Sequence, residues 1–221
     1  MKKTIVIAAS PGSASNFLRT SLENTLNCKS NTLKSGPSIG HLILKPNRRR
    51  IFSEYFKLNF LFKRERLIYG HIIPTKYNLD ILKKYYKIET FIITYRNIYD
   101  QLNYLYKWKE KYKKTPLSFP EETYFDQGNP TDNNDIDLAL LILLNFYKLW
   151  FWSIQKNLIH NFSLISYEDI ISKNIQLDFK IKYSQGNNLW KDKKYEPNKR
   201  HIEIIDRFIS DHKEIDFSKI I

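Results

Sequence analysis

The chain has 221 residues and a formal net charge of +13, with 42% apolar and 15% aromatic residues. That length and apolar share suffice for one domain with a real core, and they argue against intrinsic disorder. A single cysteine, Cys28, excludes an internal disulfide framework and a multi-cysteine zinc site.

Thr4-Ile5-Val6-Ile7-Ala8-Ala9 is a short, continuous, β-branched run, the pattern of a strand buried on both faces. Met1, Lys2 and Lys3 before it imitate a signal peptide, but the apolar run is too short and Pro11-Gly12-Ser13 follows at once. The turn of small residues Ser10–Asn16 leads into a helix whose Phe17, Leu18, Ser21, Leu22 and Leu26 share a face, with Ser15 as the expected N-cap. Residues 29–47 read as irregular apart from a short strand at His41–Leu44, and Phe52–Phe62 reads as an aromatic-rich helix. Leu67–Ile72 is a second strand closed by Pro74, Leu79–Tyr86 a short helix, and Thr90–Tyr95 the strongest strand of the chain. Asn97–Tyr112 continues as a helix. The segment 114–135, with three prolines, one glycine and several acids, is expected to be a mobile surface loop.

Ile136–Asn157, started by Asp135, reads as a long core helix with Trp150 and Trp152 both inside. Asp137, Asn145, Lys148 and Ser153 interrupt it and argue against a membrane span. Phe162–Tyr167 is a further strand, followed by a short helix from about Glu168. Tyr183–Lys199 is polar and irregular, and His201–His212 is a terminal amphipathic helix. This alternation implies an α/β fold, a parallel sheet with helices on both faces in three α/β/α layers, formed by residues 1–221 as one domain.

A basic chain suits nucleic acid, an anionic membrane or a phosphorylated small molecule. The lysines are spread evenly, only Arg48–Arg50 and Lys63–Arg66 are tight clusters, and the aromatics fall in apolar periodic segments. An anionic small ligand is therefore expected rather than nucleic acid, in a cytoplasmic protein without a transmembrane segment. In such folds ligands bind where strands end and helices begin, because a helix N-terminus offers unpaired N–H groups to an anion. The turn Ser10–Asn16 is such a place. It lacks the Gly-Lys-Ser/Thr ending of a nucleotide-triphosphatase loop.

Five segments, in order, resemble one family. Ser10-Pro11-Gly12-Ser13-Ala14-Ser15-Asn16-Phe17-Leu18 is similar to the loop that grips the 5′-phosphosulfate in sulfotransferases that use 3′-phosphoadenosine 5′-phosphosulfate (PAPS). Gly70-His71-Ile72-Ile73-Pro74 resembles that family's strand-end His-x-Pro segment, and Tyr95-Arg96-Asn97-Ile98-Tyr99-Asp100 its 3′-phosphate motif. Ser166-Tyr167-Glu168-Asp169-Ile170 is similar to its Tyr-Glu-Asp-Leu, and Gly186-Asn187-Asn188-Leu189-Trp190-Lys191 to its C-terminal Gly-x-x-x-Trp-Lys/Arg. The match runs from Thr4 to about Phe208.

The resemblance implies a sulfotransferase-like, P-loop-related fold and transfer of a sulfuryl group from PAPS to a hydroxyl or amine, leaving 3′-phosphoadenosine 5′-phosphate (PAP). It implies His71 as general base, and Pro11, Gly12, Ser13, Ala14, Ser15 and Asn16 around the phosphosulfate. Arg96 would meet the 3′-phosphate, with Tyr104, Tyr167 and Gly186 also in the nucleotide-binding site. No metal is implied. The acceptor, by analogy a glycan or lipid-linked sugar, would lie over residues 29–66 and the 114–135 loop.

Three positions depart from the family pattern. Gly12 stands where a Lys or Arg is usual, Tyr104 where a serine is usual, and Ser184-Gln185 where Arg-Lys often precedes Gly186. Lys45, Arg19 and Lys191 are the candidate substitutes for the missing charge. Other readings stay open at single residues. His71, though better placed for catalysis than the other histidines, is also compatible with an ordinary partly buried histidine, with His41 next in line as base; Arg96 with an ion pair to Asp100; and Tyr167 with core. For the whole chain the alternatives are a nucleotide-binding phosphotransferase of similar fold, a degenerate sulfotransferase-like protein, or a basic non-enzymatic binding protein.

Overall fold

A computed structural model describes residues 3–32, 66–111, 135–184 and 196–221. The expected strand at His41–Leu44, the helix Phe52–Phe62, the 114–135 loop, and Gly186, Trp190, Lys45 and Lys191 lie outside the described residues.

Five strands form one parallel sheet: β1 (Lys3–Ala8), β2 (Asn31–Thr32), β3 (Arg66–Gly70), β4 (Lys87–Tyr95) and β5 (Phe162–Ser166), in the order β2-β3-β1-β4-β5. The described helices are α1 (Ser15–Leu26), α2 (Lys76–Tyr85), α3 (Ile98–Lys111), α4 (Asp135–Gln155), α5 (Tyr167–Ser172) and α6 (Lys199–Asp211). An α/β fold with a parallel sheet is thus present. β2 is a strand that the irregular reading of residues 29–47 did not anticipate, since two residues carry no periodicity.

β1 is central because its β-branched run offers apolar side chains to both faces. Val6 and Ala8 join one buried cluster, with α2, α3, α4 and α6. Ile5, Ile7 and Ala9 join another, with Phe17, Leu18 and Leu22 of α1 and with Ile170 and Ile181. Successive strand residues face opposite sides, so one six-residue strand anchors both clusters.

α4 is long and apolar enough to cross a membrane, yet 72% of its most apolar window is buried inside the protein. Trp150 is fully buried and its indole N–H donates to the Ile72 carbonyl at 2.9 Å. Trp152, assigned to the core from sequence, is 40% exposed. Two helical positions after Trp150 the side chain has rotated about 200° around the axis, so one turn cannot bury both on the same wall. α5 begins at Tyr167 rather than Glu168, because Ser166 caps it by accepting from the Asp169 N–H at 2.9 Å.

The register aligns the carboxyl ends of the strands. Ala8 pairs with Gly70 of β3 and with Ile93 of β4, and Tyr95 pairs with Ser166 of β5. The turn after β1, His71 after β3, Arg96 after β4 and Tyr167 after β5 therefore emerge along one edge of the sheet, where ligands of such folds bind.

Candidate functional site

The turn after β1 is held from below by side chains of distant segments. The Ala9 N–H extends the strand pairing to the Gly70 carbonyl at 2.9 Å, and the Ser10 N–H then donates to Thr94 Oγ1 at 3.1 Å. Ser13 is fully buried; its hydroxyl donates to the Ser10 carbonyl at 2.6 Å and lies 2.6 Å from Thr94 Oγ1. Its side chain therefore faces into the protein, and the outward donor it can offer is its backbone amide. Gly12 (φ 75°) and Ala14 (φ 55°) are both left-handed, which turns the chain sharply into α1. Ala14 is the N-cap, and Ser15, expected in that role, is the first helical residue. α1 receives no side-chain cap from Ala14. Its first-turn amides thus keep their partial positive charge at the turn. Ser15 shares a 3.1 Å hydrogen bond with the Tyr69 hydroxyl, Asn16 is exposed, and Pro11 is buried.

Arg96 brings a cation to the same turn. It is only 8% exposed; Nη1 donates to the Gly12 carbonyl at 3.2 Å, and its guanidinium stacks 3.8 Å from the centre of the Tyr167 ring. Tyr167 is thus a half-buried plate under the guanidinium rather than plain core. Asn97 caps α3 by accepting from the amides of Tyr99 (3.0 Å) and Asp100 (3.4 Å), which places Arg96 just ahead of that helix.

His71 is half-buried, and its Nδ1 lies 2.6 Å from the Ala9 carbonyl. A carbonyl only accepts, so Nδ1 carries the proton and Nε2 has the free lone pair in the neutral ring. Burial pushes the imidazole below its ordinary value, opposed by the bond to Ala9. The neutral, proton-accepting form is therefore favoured at neutral pH.

The departures at residues 12 and 104 meet in space. A Cβ built on Gly12 would lie 2.7 Å from ring atoms of Tyr104. The tyrosine ring fills the volume that a side chain at residue 12 would leave by. This contact and the left-handed backbone leave no room for a lysine at residue 12, so the departure from the family pattern there is tied to the shape of the turn. Of the candidate substitute cations, Arg19 stands with its guanidinium 5.3 Å from the Tyr69 ring centre, beside Ser15.

Thr94, Gln101 and Tyr147 were not anticipated from sequence. Gln101 Nε2 donates to the Pro11 carbonyl (2.5 Å) and to Ser10 Oγ (3.2 Å). The Tyr147 hydroxyl donates to Gln101 Oε1, lies 3.1 Å from Ser10 Oγ, and accepts from the Arg96 N–H at 3.2 Å. Burial pushes the Tyr147 phenol far up, so it stays protonated. The one sequence signal was a tyrosine inside an apolar helix, which needs a partner when buried. Which partner is a matter of tertiary contact. Among the described residues no group of three or more His, Cys, Asp or Glu is placed to hold a metal ion.

No protein-family model matches this chain, and no curated protein does. A solved structure from the PezAT chromosomal toxin–antitoxin system of Streptococcus pneumoniae is similar at a TM-score of 0.38 and 10% identity, covering 97% of this chain and 87% of that one.

Proposed function

We propose that the chain is a divergent PAPS-dependent sulfotransferase, a cytoplasmic enzyme with a three-layer α/β/α arrangement of the P-loop-related type. One observation carries the reading: the N-terminus of α1, to which Ala14 offers no side-chain cap, and the buried Arg96 guanidinium meet at one turn, at the same sheet edge as a histidine whose Nδ1 is held by the Ala9 carbonyl. Two cationic elements at one turn suit a doubly phosphorylated nucleotide. In this reading the outward amides of Gly12–Asn16 hold the 5′-phosphosulfate. Arg96 grips the 3′-phosphate, with its planar guanidinium stacked on Tyr167 and so held in orientation.

Nε2 of His71 takes the proton of the acceptor hydroxyl or amine as that atom attacks sulfur. The bond between sulfur and the 5′-phosphate oxygen breaks, and PAP departs with its charge held at the helix N-terminus. A glycan or lipid-linked sugar is the proposed acceptor class. The test is a calorimetric titration with PAP, AMP and ATP. PAP should bind more tightly than AMP by roughly 1.5–3 kcal/mol, the worth of a hydrogen bond to a charged group, and Arg96→Ala should erase most of that preference. Equal affinities for PAP and AMP would overturn the assignment.

The Gly12–Tyr104 contact favours a second reading, a nucleotide-phosphate binder that does not transfer. PAP binding without turnover of PAPS on any acceptor would select it.

A further inference from the structure

We infer that Gln101 and Tyr147 are positioning residues that aim the backbone amides of the turn at its anionic ligand. The inference rests on the phosphate-binding role proposed above for that turn.

Both side chains are fully buried, as is Ser10. Gln101 Nε2 pulls the Pro11 carbonyl inward at 2.5 Å. In a trans peptide the C=O and the following N–H point in opposite directions. An inward Pro11 carbonyl therefore aims the Gly12 amide away from the core. The next peptide plane is fixed as well, because Arg96 Nη1 donates to the Gly12 carbonyl at 3.2 Å.

Tyr147 sets the geometry of both clamps. Its hydroxyl has one proton and two lone pairs. The proton goes to Gln101 Oε1, which orients the Gln101 amide so that Nε2 faces Pro11 and Ser10. One lone pair takes the Arg96 N–H at 3.2 Å, and the other faces the Ser10 hydroxyl at 3.1 Å. One buried atom on α4 thus locks the turn after β1, the residue after β4 and a side chain of α3 together. The capacity of that hydroxyl is full, so its loss leaves several buried partners unsatisfied.

The experiment compares wild type with Tyr147→Phe and Gln101→Met, which keep shape and remove the bonds. Tyr106→Phe is the control, since it removes a hydroxyl bonded to His201 and to the Asn198 N–H on another part of α3. Hydrogen exchange of the ligand-free protein is read at the Ser10, Phe17 and Leu18 amides, and PAP affinity is read by calorimetry. Both test variants should exchange about tenfold faster at those amides and bind PAP about tenfold more weakly, matching one lost buried hydrogen bond. Tyr106→Phe should lower the melting temperature with neither effect. Unchanged exchange at the turn, or acceleration spread evenly over the chain, would overturn the inference. So would faster exchange at the turn with unchanged PAP affinity. If wild type binds no PAP, the proposed activity fails, and the exchange result still decides whether these two residues hold the turn.

Discussion

At Gly12 and Ala14 one turn places the same demand on two different residues, and the consequences of substitution run in opposite directions. Gly12 has φ 75° and the Tyr104 ring 2.7 Å from where its Cβ would be. Gly12→Ala should therefore destabilise by about 2–4 kcal/mol, the left-handed penalty plus overpacking. Gly12→Lys should do no better. Ala14 already bears the left-handed penalty at φ 55°. Ala14→Gly should stabilise by about 0.5–1 kcal/mol, the relief of strain less the entropy of glycine. Urea denaturation of the three variants checks both signs. His71 yields a pH prediction. Burial lowers its pKa, and the base works when deprotonated, so kcat/KM for PAPS should rise with pH and level off below the ordinary histidine range. The same shift has a stability counterpart. Between the lowered folded value and the unfolded value of about 6.5 the unfolded chain binds the extra proton. Stability is therefore lost as pH falls through that window, and His71→Gln should flatten the loss in denaturation curves measured across it.

At the scale of elements, α4 shows how far composition reaches. Its length and apolarity satisfy a membrane criterion, but its residues serve as the wall of the larger core cluster. Trp150, fully buried between Phe91 and Phe146, should cost about 3–5 kcal/mol when cut to Ala. Trp152, 40% exposed, should cost only about 0.5 kcal/mol, as surface substitutions do. Equal losses would mean that something covers the Trp152 face. The helix starts show the same division. Ser166 and Asn97 cap α5 and α3 through local side-chain bonds, whereas α1 starts on a left-handed alanine that supplies no side-chain cap, not on Ser15.

Across the whole molecule, the last residues close the core beside the site. Ile215, Phe217 and Ile220 are 6%, 3% and 0% exposed, and the Ile220 carbonyl accepts the Ile98 N–H at 2.7 Å. Deleting residues 215–221 should cost roughly 5 kcal/mol or more, since each buried apolar side chain contributes about 1.5–3 kcal/mol. That is a large fraction of an ordinary domain's stability, so the truncated chain should show a greatly lowered denaturant midpoint. A second tie joins three helices. His201 Nε2 and Arg200 Nη2 lie 2.8 and 2.7 Å from the two carboxylate oxygens of Asp137, while His201 Nδ1 meets the Tyr106 hydroxyl. The arrangement binds α3, α4 and α6 together.

Much of this was legible because it is local. Continuous β-branched runs announced β1 and β4, helical spacing announced α3, α4 and α6, and small residues after an apolar strand announced the turn. The motif residues His71, Arg96 and Tyr167 do emerge along one sheet edge, because strand ends in a parallel sheet share that edge whatever their separation in the chain. Contact between distant segments was not legible. Nothing in the spacing of Gly12 and Tyr104 says that the ring of one covers the Cα of the other. Nothing marks Tyr147 as the partner of Ser10 and Arg96, nor the direction in which Trp152 points. Those facts depend on which faces meet after the helices dock, and docking is a property of the assembled sheet and its two cores rather than of any single segment.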